Sequence, residues 1–193
     1  MDDSELSHRL ARDLDGTFEA VVRAHADRCF SIALRLTGRP HDAEEVVQDA
    51  LVRAYRAIEG YEPDRIRELQ LRPWLTTIVL NLCRNRARSR RSAPSTPLDP
   101  LLEAGAEPLA GTDTDPADLA LAGVTRDRLA AHLSALPERY RVPVVLRHVD
   151  DLTYAELATV LGRPEGTIKA QVHRGLAMLR ASISETEREE LTA

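Results

Sequence analysis

The strongest constraint in this chain is the punctuation of residues 153–180, TYAELATVLGRPEGTIKAQVHRGLAMLR. Thr153 followed three residues later by Glu156 has the form of a capping box, in which each side chain satisfies a backbone N–H at a helix start. Ala155, Leu157, Ala158 and Leu161 then supply one apolar face at helical spacing. Gly162 suits the left-handed conformation that ends a helix, and Pro164 suits the first turn of the next. In that second helix Ile168, Val172, Leu176 and Leu179 repeat on one side, leaving Thr167, Lys169, Gln171, His173 and Arg174 on another. The spacing predicts a helix-turn-helix whose polar and basic outer face suits a DNA major groove. An ordinary helical hairpin with a solvated face would satisfy the same local signals.

The rest of the chain divides by charge. Arg84, Arg86, Arg88, Arg90 and Arg91 form a basic block, and residues 92–125 then contain no lysine or arginine. That acidic stretch carries Pro94, Pro97, Pro100, Pro108 and Pro116, which deny a continuous helix, and few large apolar residues to bury. Helical spacing returns with Leu119, Leu121, Leu129, Leu133 and Leu136. The expected fold is therefore all-α, with small helical domains at 15–91 and 117–182 joined by an acidic linker at 92–116. A net charge of −5 disfavours indiscriminate coating of nucleic acid, but local distribution governs contact more than the sum does. The opening MDDSELSHRL is acidic and polar, unlike a signal peptide, and no apolar run approaches the ~20 residues of a membrane span. Cys29 and Cys83 sit inside helical patterns and read as reduced core thiols of a cytoplasmic protein without membrane insertion.

The first domain reads as a helical bundle. Phe18, Val21, Val22, Cys29, Ile32, Ala33 and Leu36 mark a long amphipathic helix closed by Gly38. Pro40 opens a second, with Asp42, Glu44 and Glu45 where carboxylates favour the helix dipole and Val46, Val47, Leu51, Ala54 and Ile58 facing inward. Asp42, Glu45 and Asp49 are left on a more polar side, which on residue type alone is a solvated face. A third helix carries Trp74, Leu75, Ile78, Val79, Leu82 and Cys83 and ends in the arginine block. Phosphate contacts from such a block add affinity but little sequence information.

Four segments together resemble the extracytoplasmic-function (ECF) group of bacterial sigma factors. They are DAEEVVQDALVRAYR, RPWLTTIVLNLCRNRARSRR, LPERYRVPVVLRHVDDLTYAELA and GRPEGTIKAQVHRGLAMLR, within residues 18–180. The resemblance implies sigma regions 2 and 4, with core RNA polymerase and promoter DNA as partners. It implies that Asp42, Glu45, Gln48 and Asp49 dock on the polymerase clamp helices. It places Asn81, Arg84, Asn85 and Arg88 on the helix that approaches the −10 element, and Tyr61 in the loop, 60–71, that captures a flipped base. Thr167, Lys169, Gln171, His173 and Arg174 become the −35 contacts. Members of the group are often held inactive by an anti-sigma protein, so an anti-sigma factor is a further candidate partner. The acidic linker becomes either a segment in the RNA exit channel or a plain spacer. Three positions depart from the pattern: Leu51 replaces an aromatic residue, Leu80 a basic one and Ala170 a small polar one.

Other classes of function fit less of the chain. An autonomous operator-binding regulator would use the same helix-turn-helix, but no dimerisation coiled coil is evident and the first domain would go unused. His41, Asp42, Glu44 and Glu45 lack a nearby phosphate loop or nucleophile–base pair. His25 and Cys29 could share a metal at i, i+4, yet third and fourth ligands are not evident. The reading is of no enzyme, catalytic residue, cofactor or metal. Pro143 is expected to kink or restart a helix, and the tail SISETEREELTA to fray.

Overall fold

The computed structural model describes residues 2–92 and 128–192. Most of the expected linker, and the expected start of the second domain at 117, lie outside the described residues. The described residues form helices with no strand: α1 (Asp3–Leu10), α2 (Leu14–Thr37), α3 (Pro40–Glu59), α4 (Pro63–Arg67), α5 (Leu71–Ser92), α6 (128–135), α7 (Glu138–His148), α8 (Tyr154–Leu161) and α9 (Glu165–Thr192). The all-α expectation holds.

Local chemistry sets the helix ends. The Asp13 carboxylate accepts the Gly16 N–H at 3.0 Å to start α2, and Gly38, at φ 73°, ends it. The capping box forms as the sequence predicts: the Thr153 N–H donates to Glu156 Oε2 at 2.7 Å, and the Glu156 N–H to Thr153 Oγ1 at 3.2 Å. Gly162, at φ 61°, closes α8. Pro143 does not end α7; it is buried within the helix, which runs on to His148.

Helices α2, α3 and α5 bury Val21, Ile32, Ala33, Val46, Ala50, Ala54, Ile58, Leu75 and Val79 in a bundle. Helix α1, outside the expected 15–91 domain, packs onto that bundle through fully buried Leu6 and nearly buried Leu10. Burying each leucine stabilises by roughly 1.5–3 kcal/mol. The Ser7 hydroxyl adds a hydrogen bond to the Leu69 carbonyl at 2.8 Å.

Helices α7, α8 and α9 form the second unit around Val142, Val144, Val145, Leu146, Leu157, Ile168 and Val172. Helix α9 does not fray after Arg180, contrary to expectation; it continues to Thr192. Ile183 packs against the core and Ser182 Oγ lies 2.7 Å from His132 Nδ1, contacts that the acidic composition of the tail conceals. The close crossing of α7 and α9 depends on Gly175. A Cβ there would stand 2.6 Å from Val144 Cγ2 and 3.2 Å from the Tyr140 carbonyl oxygen. Overpacking of this kind typically costs about 1–3 kcal/mol. Gly175→Ala is expected to lower the unfolding free energy read from chemical denaturation by that amount; an unchanged free energy would mean the helices separate without cost.

Candidate polymerase and promoter surfaces

The α3 carboxylates do not form one uniform surface. Asp42 is only 4% exposed, and its Oδ1 accepts from Arg86 Nε at 2.9 Å while Arg90 Nη2 contacts Oδ2. Arg86 also pairs with Glu45, which is half-buried. Gln48 and Asp49 are exposed. Asp49 borders a groove of about 550 Å³ between α3 and α5, lined also by Val46, Arg53, Leu82, Asn85 and Ser89. The arginine block is accordingly split: Arg86 and Arg90 turn back onto α3.

On α5, Asn81, Asn85 and Arg88 are exposed. Arg84 is half-buried, its Nε 3.5 Å from Glu138 Oε1 of α7. The 60–71 loop contains the short helix α4, whose Ile66 is buried. Tyr61 is half-buried, with the Arg65 guanidinium 3.7 Å above its ring and the Trp74 ring centre 6.3 Å away. Trp74 thus packs on the core and meets Tyr61 as well.

On α9, Ile168 and Val172 are buried and hold the helix to its unit. Thr167, Lys169, His173 and Arg174 are exposed on the far side. Lys169 Nζ lies 3.5 Å from Glu165 and 5.3 Å from the Tyr154 ring centre. Gln171 is half-buried and accepts from Arg163 Nη1 at 3.2 Å, so part of its hydrogen-bonding capacity is committed. On α8, Ala155 is exposed rather than inward; Leu157 is the fully buried residue there.

Both described stretches of the chain have counterparts in known proteins. Residues 21–93 match Sigma-70 region 2, and residues 126–179 match Sigma-70, region 4. The RNA polymerase sigma-E factor of Streptomyces coelicolor is 32% identical over 166 residues, covering 86% of this chain and 85% of that protein. The chain belongs to the ECF RNA polymerase sigma factors. A further relative, ECF RNA polymerase sigma factor SigE of Mycolicibacterium smegmatis, is 32% identical over 85% of this chain; the chain spans 60% of that protein's length. Among solved structures, CnrH in complex with the cytosolic domain of CnrY superposes with a TM-score of 0.68 at 26% identity, covering 95% of this chain and 97% of CnrH.

One residue of this sigma factor escaped the sequence reading. Asp150, between α7 and α8, is 0% exposed and reaches across to the first unit. Arg28 Nη1 lies 2.7 Å from its Oδ1 in an ion pair without hydrogen-bond alignment, and Arg72 Nε lies 3.7 Å from the same oxygen. The Thr76 hydroxyl donates to Oδ2 at 2.7 Å, and Arg72 Nη2 donates to the Asp150 carbonyl. Burial pushes the Asp150 carboxyl above its ordinary range, against the opposing pull of Thr76, Arg28 and Arg72. Burial likewise lowers Arg28. The only sequence signal was a pair of acids, Asp150 and Asp151, at a helix end.

Among the described residues no group of three or more His, Cys, Asp and Glu could hold a metal, and no helix is long and apolar enough to cross a membrane. His25 Nε2 instead lies 3.2 Å from Asp3. Burial pushes the Cys29 and Cys83 thiols up to about 11 and about 12, so neither is a reactive thiolate at neutral pH. Because Asp42 is buried against Arg86 and Arg90, Asp42→Ala takes the carboxylate partner from Arg90 and leaves Arg86 with Glu45 alone. It is expected to cost about 1–3 kcal/mol in thermal or urea unfolding, whereas Asp49→Ala leaves stability unchanged.

Proposed function

We propose that this sigma factor docks core RNA polymerase through the exposed side of α3, with Glu45, Gln48 and Asp49 in contact. Asp42 supports that surface from beneath by fixing Arg86 and Arg90. The same proposal assigns Asn81, Arg84, Asn85 and Arg88 to the −10 element, with Tyr61 in the base-capturing loop. Extruding a base costs a few kcal/mol, so a shaped aromatic pocket adds selectivity as the duplex opens. Thr167, Lys169, Gln171, His173 and Arg174 are assigned to the −35 element. Domain limits of 15–91 and 117–182 around a 92–116 linker remain part of the proposal, with α1 added to the first unit. The protein acts in the cytoplasm, where its polymerase is, and contributes no catalytic residue. An anti-sigma factor is a proposed partner, supported by the likeness to CnrH, which was solved with the cytosolic domain of CnrY.

The observation that carries this reading is the exposed polar row of α9 behind a capped α8, in a chain matched by both sigma regions. The test is in vitro transcription with bacterial core polymerase and a promoter library, sequencing the RNA starts. Initiation that depends on the protein, with shared −35 and −10 sequences upstream, is expected. Duplex binding without any rescue of initiation would favour an autonomous regulator.

Two substitutions resolve the surfaces. Asp49→Arg is expected to weaken core association about tenfold with the fold intact, since reversing a rim charge opposes encounter and docking; unchanged affinity in a titration rejects the docking role. Arg174→Ala should cost roughly 1–3 kcal/mol at one −35 base pair if the arginine bonds a guanine. A uniform loss across −35 variants would make it a phosphate contact.

A further inference from the structure

Gln171 is steered from outside its own helix. Thr167, four residues before it, and Arg174, three after it, share its side of α9 and are exposed, while Gln171 is half-buried. Its Oε1 accepts from Arg163 Nη1 at 3.2 Å, a bond that ties α9 back to the turn preceding it. Arg163 is in turn placed by local backbone chemistry. It follows Gly162, whose left-handed conformation closes α8, and its N–H donates to the Ala158 carbonyl at 3.1 Å. Arg163 is half-buried and lines a small cavity with Val142, Pro143 and Leu161, so its stem has an apolar wall.

A guanidinium carries five N–H donors and no acceptor, whereas a carboxamide has an oxygen that accepts and an NH2 that donates. Arg163 therefore holds the Gln171 amide in one sense, with the oxygen towards the turn and the NH2 turned away from it. An amide without such a neighbour presents either atom. In the major groove guanine, adenine and thymine each show an acceptor, whereas cytosine shows only its N4 amino donor. An outward NH2 meeting that amino group leaves two donors unsatisfied.

We propose that Arg163 is a positioning residue for promoter reading: by fixing the Gln171 amide with its NH2 outward, it makes Gln171 reject cytosine at one base of the −35 element. The proposal rests on the assignment of α9 to that element. Arg163 itself touches no base; it acts through Gln171.

The test is in vitro transcription by core polymerase reconstituted with the full chain, on templates randomised across the −35 element and sequenced as RNA. The unmodified protein is expected to disfavour cytosine about tenfold at one position. Gln171→Ala should flatten that position and no other. Arg163→Ala frees the amide to turn over, so cytosine should recover at the same position, a gain that mere distortion of the turn would not produce. Gln171→Glu keeps a partner for Arg163 but offers acceptors only, and should turn the preference towards cytosine. A uniform loss across all −35 sequences in Arg163→Ala, with cytosine still rejected, makes Arg163 a phosphate contact and overturns the positioning role. If Arg163→Ala loses helix content by circular dichroism, Gln171→Glu decides, and an unchanged base preference there overturns the proposal. Should Arg174→Ala alter a −35 position while Gln171→Ala alters none, the proposal fails and the −35 reading stands. RNA starts with no shared −35 sequence upstream overturn both.

Discussion

Asp150 is removed from water completely, and an ionised carboxylate in that position is tolerable only where cations replace its hydration. Those cations are Arg28 of α2 and Arg72 of α5, residues of the other unit. The arrangement of the units thus depends on electrostatic satisfaction of one side chain as well as on apolar burial. Breaking such a buried pair by removing one partner commonly costs about 3–5 kcal/mol, although making it gains far less because both ions are desolvated. That asymmetry gives geometric definition to a contact that is not intrinsically strong.

The same principle operates within the first unit. Asp42 reads from the sequence as a first-turn carboxylate favouring the helix dipole, and in the structure it also anchors Arg86 and Arg90. Two of the five arginines of the basic block are thereby directed at protein. Asn81, Asn85 and Arg88 of α5 stay on an exposed strip beside the stripe that carries Arg84. One helix serves three neighbours because successive residues step around its axis by about 100°, so adjacent positions belong to different surfaces.

What was legible in the sequence was local. The Thr153–Glu156 box, the Gly38 and Gly162 ends and the inward repeat Ile168–Val172–Leu179 each depend on residues within a few turns, and the structure reproduces them. Helix α1 was missed because two leucines four residues apart give too short a period to count. The burial of Asp42 and Asp150 was missed because their arginine partners lie 44 to 122 positions away, beyond any local pattern. Leu80 was visible as a departure from the family, a leucine where a basic residue is common. Its reason appears only once α5 is seen to be covered on a second side.

A shared buried face has a consequence for how promoter strength and promoter choice are set. If the two units must part for both elements to be read at once, apparent affinity equals intrinsic affinity multiplied by the fraction of molecules whose units have parted, for every promoter alike. Each 1.4 kcal/mol added to the contact between the units would weaken all of them about tenfold. Substitutions at Asp150, Arg28 or Thr76 would then scale the whole regulon up or down, while substitutions on α9 would reorder its members. Gain and selectivity would be encoded in different residues and could evolve separately.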